Sequence, residues 1–510
     1  MTTATTTPTV AIIGAGFGGL AAAIELKRHG IGSFTVLERS SRVGGVWQAN
    51  SYPGAACDVP SVIYQFSFAL KPDWSRRFGT QDEIRAYLEQ VAVEFRIVPH
   101  IRFGTTVTAA VFDEATATWA VSTDDGVTAN YDVLIGATGQ LSRPKTPDVP
   151  GRAAFRGAQF HSAEWDHSVD LTGKRVAVVG GGASAIQVVP AIVDAAAHVT
   201  VVQRTPSWVV NKWDWTPGRL EQRLMRSPAA QRAYHNAMWL WFESRYPVVK
   251  RSLRPLRRVW EAKLRRTIRR TLKDPRKVAA ATPGYEMGCN RLLLSREWYP
   301  ALARPDVDVV GAGLSAMDAG GLTCDDGTRV DADVIVWCTG FTATEYLAPI
   351  EIRGVGGQTI REAWADGPEA YLGLSTPGFP NLLMSYGPNT NSLTNTIVYL
   401  LEQQASYMRQ AIEHLARVGG AIDVRSDVHD AFNAELQQRL GRTVFTTGCP
   451  GWYATASGKV TQVWTGSHVE YGRRTRRFDP ACYVHVPRSA DRATGAAGED
   501  ESAATLAGHR

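Results

Sequence analysis

Two stretches of this chain carry the residues needed to hold the phosphates of a dinucleotide. The first, Gly14-Ala15-Gly16-Phe17-Gly18-Gly19, follows the apolar run Val10–Ile13 and leads into the helix-forming LAAAIELKRHG. Gly14, Gly16 and Gly19 let the backbone approach a pyrophosphate at the helix N-terminus, and Glu38, which ends the next apolar run, is placed to bind a ribose hydroxyl. The second, Gly180-Gly181-Gly182-Ala183-Ser184-Ala185, follows the strand Lys174–Val179 and opens IQVVPAIVDAA, with Gly180 and Gly182 in the corresponding places. Arg204 stands as far from Gly180 as Glu38 does from Gly14, so one physical unit occurs twice with opposite charge at its ribose-reading end. An acid repels a 2′-phosphate, whereas Arg204 with the Thr205 hydroxyl can grip one. The first unit reads as an FAD site and the second as an NADPH site. A surface arginine at a strand end is the plainer alternative for Arg204.

Two further stretches could serve those sites. Gly44–Asp58 reads GGVWQANSYPGAACD: its glycines let a loop pass close to a flat ring, Trp47 and Tyr52 can wall it, and Asp58 closes the motif. A well-packed loop with a capping aspartate is the alternative. Phe155–Asp166, FRGAQFHSAEWD, lies between the two dinucleotide units. A connector with Gly157, a central His161 and the aromatics Phe155 and Trp165, closed by Asp166, suits an element that swings and repacks as domains move. Here the alternative is an ordinary loop whose histidine is a satisfied polar residue.

Together these motifs resemble those of the type I Baeyer–Villiger monooxygenases, flavoproteins that turn ketones into esters or lactones. GxWxxxxYPGxxxD is matched from Gly45 to Asp58 and FxGxxxHxxxWD from Phe155 to Asp166, and the likeness extends over roughly Val10 to Val486. It implies FAD, NADPH, O2 and a ketone substrate, with one oxygen inserted next to the carbonyl through a C4a-peroxyflavin. It also implies that Arg291, in GCNR, is the fixed cation that stabilises the negative oxygen, with Asp58 as its orienting partner. The same resemblance places Gly45, Val46, Trp47, Tyr64, Val107 and Gln140 at the flavin. Ser184, Gln187, Arg204 and Thr205 would then hold NADP+ after hydride transfer and shield the reacting centre from water. The family commonly has lysine before its arginine; Asn290 stands there, which relaxes the expected preference for NADPH over NADH. The rival function is a flavin-containing N- or S-oxygenase, against which Trp165-Asp166 argues. A flavin disulfide reductase would need a cysteine pair near the flavin, and no such spacing occurs.

These residues need an α/β scaffold with two Rossmann-like domains and a helical insertion. The expected division is an FAD-binding domain in two parts (1–142 and 341–487), a linker with the connector motif (143–170) and an NADP-binding domain in two parts (171–211 and 285–340). A basic helical insertion (212–284) and a disordered tail (488–510) complete it. Thr80 to Val98 reads as an amphipathic helix, and another starts near Asn395. YDVLIGATG (Tyr131–Gly139) and ADVIVWCTGF (Ala332–Phe341) read as two returns to the flavin domain, and Gly448 to Gly466 as an aromatic hairpin that suits a bulky apolar ketone. In the insertion, Leu253, Leu256, Trp260, Leu264, Ile268 and Leu272 mark one helix face, the expected packing side. From Arg219 to Lys277, 18 Lys/Arg stand against 4 Asp/Glu, a local +14 in a chain whose net charge is +6. That block either stays solvated or makes weak contact with a membrane surface or an acidic partner; it does not make the protein a nucleic-acid binder. The six scattered cysteines argue against a zinc site, a disulfide framework or a dithiol centre, so no metal is expected. With a polar N-terminus and no long apolar run, the expected location is the cytoplasm. Oligomeric state is not readable from the sequence.

Overall fold

The computed structural model describes residues 7–249, 251–392, 394–446, 453–455 and 457–488. Most of the expected tail (489–510) and residues 448–452 and 456 of the expected hairpin lie outside the described residues.

Val10–Ile13 is buried at all four positions, as a central parallel strand covered on both faces requires. It pairs in parallel with Phe34–Leu37 on one side and Val133–Gly136 on the other. Ile101–Arg102 and Leu382–Met384 complete a five-stranded parallel sheet. The second sheet repeats this plan around Arg175–Val179, with His198–Val202 and Val307–Val310 on one side and Val334–Trp337 and Ala158–His161 on the other. The fold is therefore α/β with two Rossmann-like units. Phe17–Arg28 packs against the long helix Ile397–Val418, so Leu20, Ile24, Leu401 and Met408 share one core.

Two expectations change here. Val334–Trp337 does not return to the flavin sheet; it sits beside Arg175–Val179, as Val133–Gly136 sits beside Val10–Ile13. The apolar run VIVW needs cover on both faces, and the second sheet supplies it. The connector also gives an edge strand, Ala158–His161, to that same sheet.

The other helices follow their local signals. Thr80 precedes Gln81–Glu94, and the Thr396 hydroxyl accepts from the Val398 N–H at the start of Ile397–Val418. The insertion forms helices Arg219–Met225, Pro228–Glu243, Arg254–Leu272 and Pro275–Ala281. Its expected packing face is corrected: Ile268 and Leu272 are buried, but Leu256 and Trp260 are 50% and 48% exposed. Arg257 takes the inward place because it pairs with Glu286 at 2.7 Å, which turns Leu256 and Trp260 one position out of the buried row. The cysteines, expected to form no disulfide framework, include one that is bridged. Cys289 is disulfide-bonded, while Cys57, Cys324, Cys338 and Cys482 are free. Pairing depends on which loops meet in space, and spacing along the chain does not reveal it. Among the described residues no helix is long and apolar enough to cross a membrane, and no cluster of His, Cys, Asp and Glu could hold a metal.

Candidate active site

A cavity of about 1280 Å³ is lined by both glycine turns. At the first, a side chain on Gly19 would lie 1.8 Å from the Gly14 carbonyl oxygen, so the helix can start that close only with glycine there. The Glu38 carboxylate accepts from the Ala15 N–H at 2.6 Å and the Ser40 N–H at 2.9 Å, bracing the turn while it lines the cavity. A Cβ on Gly182 would meet nothing within 4 Å, and one on Gly16 would touch only Gly45. Both turns thus open onto space suited to a pyrophosphate. Gly180, Ser184, Arg204 and Thr205 also line the cavity, with Arg204 exposed.

The loop from Gly44 to Asp58 joins the two units. Gly45, Val46 and Trp47 face the cavity, and the Trp47 indole N–H donates to the Tyr64 hydroxyl at 3.1 Å. Beyond them, the Tyr52 hydroxyl donates to Gln187 Oε1 at 2.9 Å, and Gln187 Nε2 donates back to the Ala56 carbonyl at 2.8 Å. Gln187 belongs to the helix Ala185–Ile192 of the second unit. Contact there is close enough that a Cβ on Gly54 would lie 2.6 Å from the Gln187 carbonyl oxygen. Asp58, two residues past Ala56, forms an ion pair with Arg291.

Arg291 is positioned from the second unit. Leu293–Leu294 pairs in parallel with Val209–Val210, and the buried Trp208 indole donates to the Tyr285 carbonyl at 3.0 Å. The helix Arg254–Leu272 holds the approach to Arg291: Arg257 bonds Glu286, Glu261 accepts from the Met287 N–H at 2.8 Å, and Arg265 donates to the Pro283 carbonyl at 2.9 Å. The Asp58 carboxylate pushes the guanidinium pKa further up, so Arg291 stays charged, and 40% of its side chain remains open in a cavity walled by protein. Burial pushes the Tyr52 and Tyr386 phenols up to about 12, so both are neutral hydrogen-bond donors at ordinary pH. Val107 and Gln140 line the far wall. Gln140 Nε2 donates to the Tyr386 carbonyl at 3.3 Å, whereas its buried Oε1 has no protein partner among the described residues.

The connector residues stand behind this wall. Phe155 is buried in the core of the second unit, and a Cβ on Gly157 would lie 2.2 Å from the Asp333 carbonyl oxygen. His161 is buried, its Nδ1 accepts from the Ala163 N–H at 3.1 Å, and its ring meets Phe341 edge-on. Burial lowers its pKa, which leaves it neutral. Trp165 packs edge-on against Phe160, and Asp166 accepts from the Ser168 N–H and hydroxyl. None of the five lines the cavity. Sequence reasoning gave no role to Tyr386, Asn391 or Phe341, which do line it. The segments SYGPNTN and TGF hold them, and the left-handed backbone of Tyr386 (φ 63°) is invisible in a residue string.

Residues 11–238 match the family model described as pyridine nucleotide-disulphide oxidoreductase. The chain is 44% identical over 491 residues to a Baeyer–Villiger monooxygenase of Streptomyces coelicolor, covering 96% of this chain and 94% of that one. This chain belongs to the Baeyer–Villiger monooxygenases. A second relative with that name, from Pseudomonas aeruginosa, is 37% identical over 93% of this chain and 90% of its own length. Among solved structures, an oxidized steroid monooxygenase bound to NADP matches with a TM-score of 0.82 at 30% identity, covering 92% of this chain and 97% of that one.

Proposed function

We propose that the protein is an FAD- and NADPH-dependent monooxygenase that inserts one atom of O2 next to a ketone carbonyl, giving an ester or lactone. The observation that carries this reading is the Arg291–Asp58 pair, set in one cavity with both dinucleotide turns. The chain fits its cofactors: Gly182 faces open space, a Cβ on Gly16 would touch only Gly45, and Gln140 holds an unpartnered buried oxygen.

FAD would lie along Gly14, Gly16 and Glu38, with Gly45, Val46, Trp47, Tyr64, Val107 and Gln140 around its ring, and Gly19 setting the helix behind. NADPH would lie along Gly180, Gly182, Ser184 and Gln187, its 2′-phosphate on Arg204 and Thr205. When bound, the two supply the hydride and the reduced ring that activates oxygen. Arg291 stabilises the negative charge on the transferred oxygen and then on the former carbonyl oxygen, and it cannot lose its proton to either. Asp58 fixes where that cation points. Trp47, Tyr52 and Tyr64 narrow the cavity and limit water around the charge. Phe155, Gly157, His161, Trp165 and Asp166 brace the second sheet and its TGF loop, and so act on the site through position.

The division into a split FAD domain (1–142, 341–487), a connector (143–170), a split NADP domain (171–211, 285–340) and an insertion (212–284) belongs to this reading. So does a cytoplasmic location; the buried free thiols Cys57 and Cys338 suit it and the disulfide at Cys289 does not. The test is turnover of FAD-loaded enzyme with NADPH and ¹⁸O2 on a panel of cyclic, aryl and long-chain ketones plus an aryl sulfide and a tertiary amine. One ¹⁸O in an ester or lactone supports the reading. Label confined to sulfur or nitrogen moves the protein to the N/S-oxygenases.

A further inference from the structure

The outer side of the helix Arg254–Leu272 has no part in the site just described, and its composition is unusual for a surface. Its inward row, Arg257, Glu261, Leu264, Arg265, Ile268 and Leu272, is buried or half-buried. Opposite it, Leu256, Val259 and Trp260 are 50%, 68% and 48% exposed. Along the same stripe, at helical spacing, follow the exposed Lys263, Arg266 and Arg270. The Lys263 ammonium lies over the Trp260 ring, 5.1 Å from its centre, so cation and aromatic form one surface. None of Lys263, Arg266 and Arg270 has an acidic partner among the described ion pairs, and the surrounding 219–277 segment carries +14.

We propose that this face docks the enzyme on an anionic phospholipid surface, with Leu256, Val259 and Trp260 entering the headgroup boundary and Lys263, Arg266 and Arg270 facing lipid phosphates. Charge selects the occupant. A second copy presenting this same face would be equally basic and be repelled, whereas an anionic bilayer offers both the opposite charge and an apolar layer for the tryptophan and leucine. Snorkelling lysine and arginine stems let both contacts form on one helix side. The proposal is independent of which substrate the enzyme oxidises.

The test is co-sedimentation of FAD-loaded full-length enzyme with phosphatidylcholine vesicles, with and without 30 mol% (about one lipid in three) phosphatidylglycerol, at low and high salt. The same samples are assayed for NADPH oxidation and for binding to a polyglutamate resin. Pelleting is expected with the anionic vesicles only and is reversed by salt. Lys263→Glu/Arg266→Glu/Arg270→Glu is expected to lower binding by roughly a hundred-fold, each cation near an anionic surface being worth about five-fold in partition. Leu256→Ser/Val259→Ser/Trp260→Ser is expected to weaken it while NADPH oxidation stays unchanged. Wild-type enzyme that stays in the supernatant, or variants that pellet like wild type, would overturn the proposal. Retention on polyglutamate with no vesicle binding would reassign the face to an acidic protein partner.

Discussion

Asp58→Asn isolates what the carboxylate does for Arg291. Two unit charges about 4 Å apart interact by about 4 kcal/mol at an effective dielectric of about 20, near a protein surface. Arg291 keeps 40% of its side chain open, so solvent screening brings the loss to roughly 1–2 kcal/mol. The amide can still accept a hydrogen bond from the guanidinium, so the cation stays in the cavity but is held less firmly. The expected outcome is a kcat about 10-fold lower, with more NADPH consumed to hydrogen peroxide per ester formed. Arg291→Met should cost more, about 10²–10³-fold in ester formation, because it deletes the charge itself. Stopped-flow kinetics separate the steps: anaerobic flavin reduction by NADPH should change by less than about 3-fold in either variant, while product formation carries the loss. In the Arg291→Met background, Asp58→Asn should have almost no further effect. If Asp58→Asn keeps wild-type turnover and coupling, or if the two losses simply add, Asp58 does not act through Arg291.

Four further outcomes are expected. Gln187→Ala removes both bonds that tie the Gly44–Asp58 loop to the second unit, so kcat/KM should fall about 10-fold, with peroxide leakage measured by a coupled peroxidase assay. Arg204→Ala should raise KM for NADPH by about 10–100-fold and leave KM for NADH nearly unchanged, read from initial rates with each nucleotide. Gly157→Ala drives a methyl to 2.2 Å from the Asp333 oxygen and should destabilise the fold by about 1–3 kcal/mol in denaturant melts. Burial pushes the Asp423 carboxyl up to about 6, above its unfolded value, so its protonated form stabilises the native state at low pH and that contribution is lost as pH rises through 6. Stability should therefore gain on the order of 1 kcal/mol between pH 7 and pH 5, and Asp423→Asn should flatten that slope.

What the sequence made legible follows from how local each signal is. The two glycine turns, Glu38 and Arg204 are fixed by a strand, a turn and a helix within one short stretch, so their spacing suffices. Glycine's backbone demands are similarly local, as at Gly54 and Gly157. The rotation of the helix Arg254–Leu272 was not legible, because a charge partner 29 residues away, Glu286, decides that Arg257 faces inward. Nor was the placement of Val334–Trp337, whose apolar run suits either sheet until strand order is known. Tyr386 enters the cavity through a left-handed backbone that residue types do not encode. The disulfide at Cys289 depends on long-range contact in the same way.

The charge pair in this cavity has its halves on different bodies. Asp58 rides on a loop of the first unit that leans on a helix of the second, and Arg291 is held by the second unit and the insertion. The pair therefore works as a coincidence detector, complete only while both units are seated together. Domain slippage would split it, leaving a stray cation and a stray carboxylate where the proposed oxygen chemistry needs an aligned cation. Chimeras that graft a foreign nucleotide unit onto this chain should be judged first by whether the Gln187 face still meets Gly54, and only then by which nucleotide they bind.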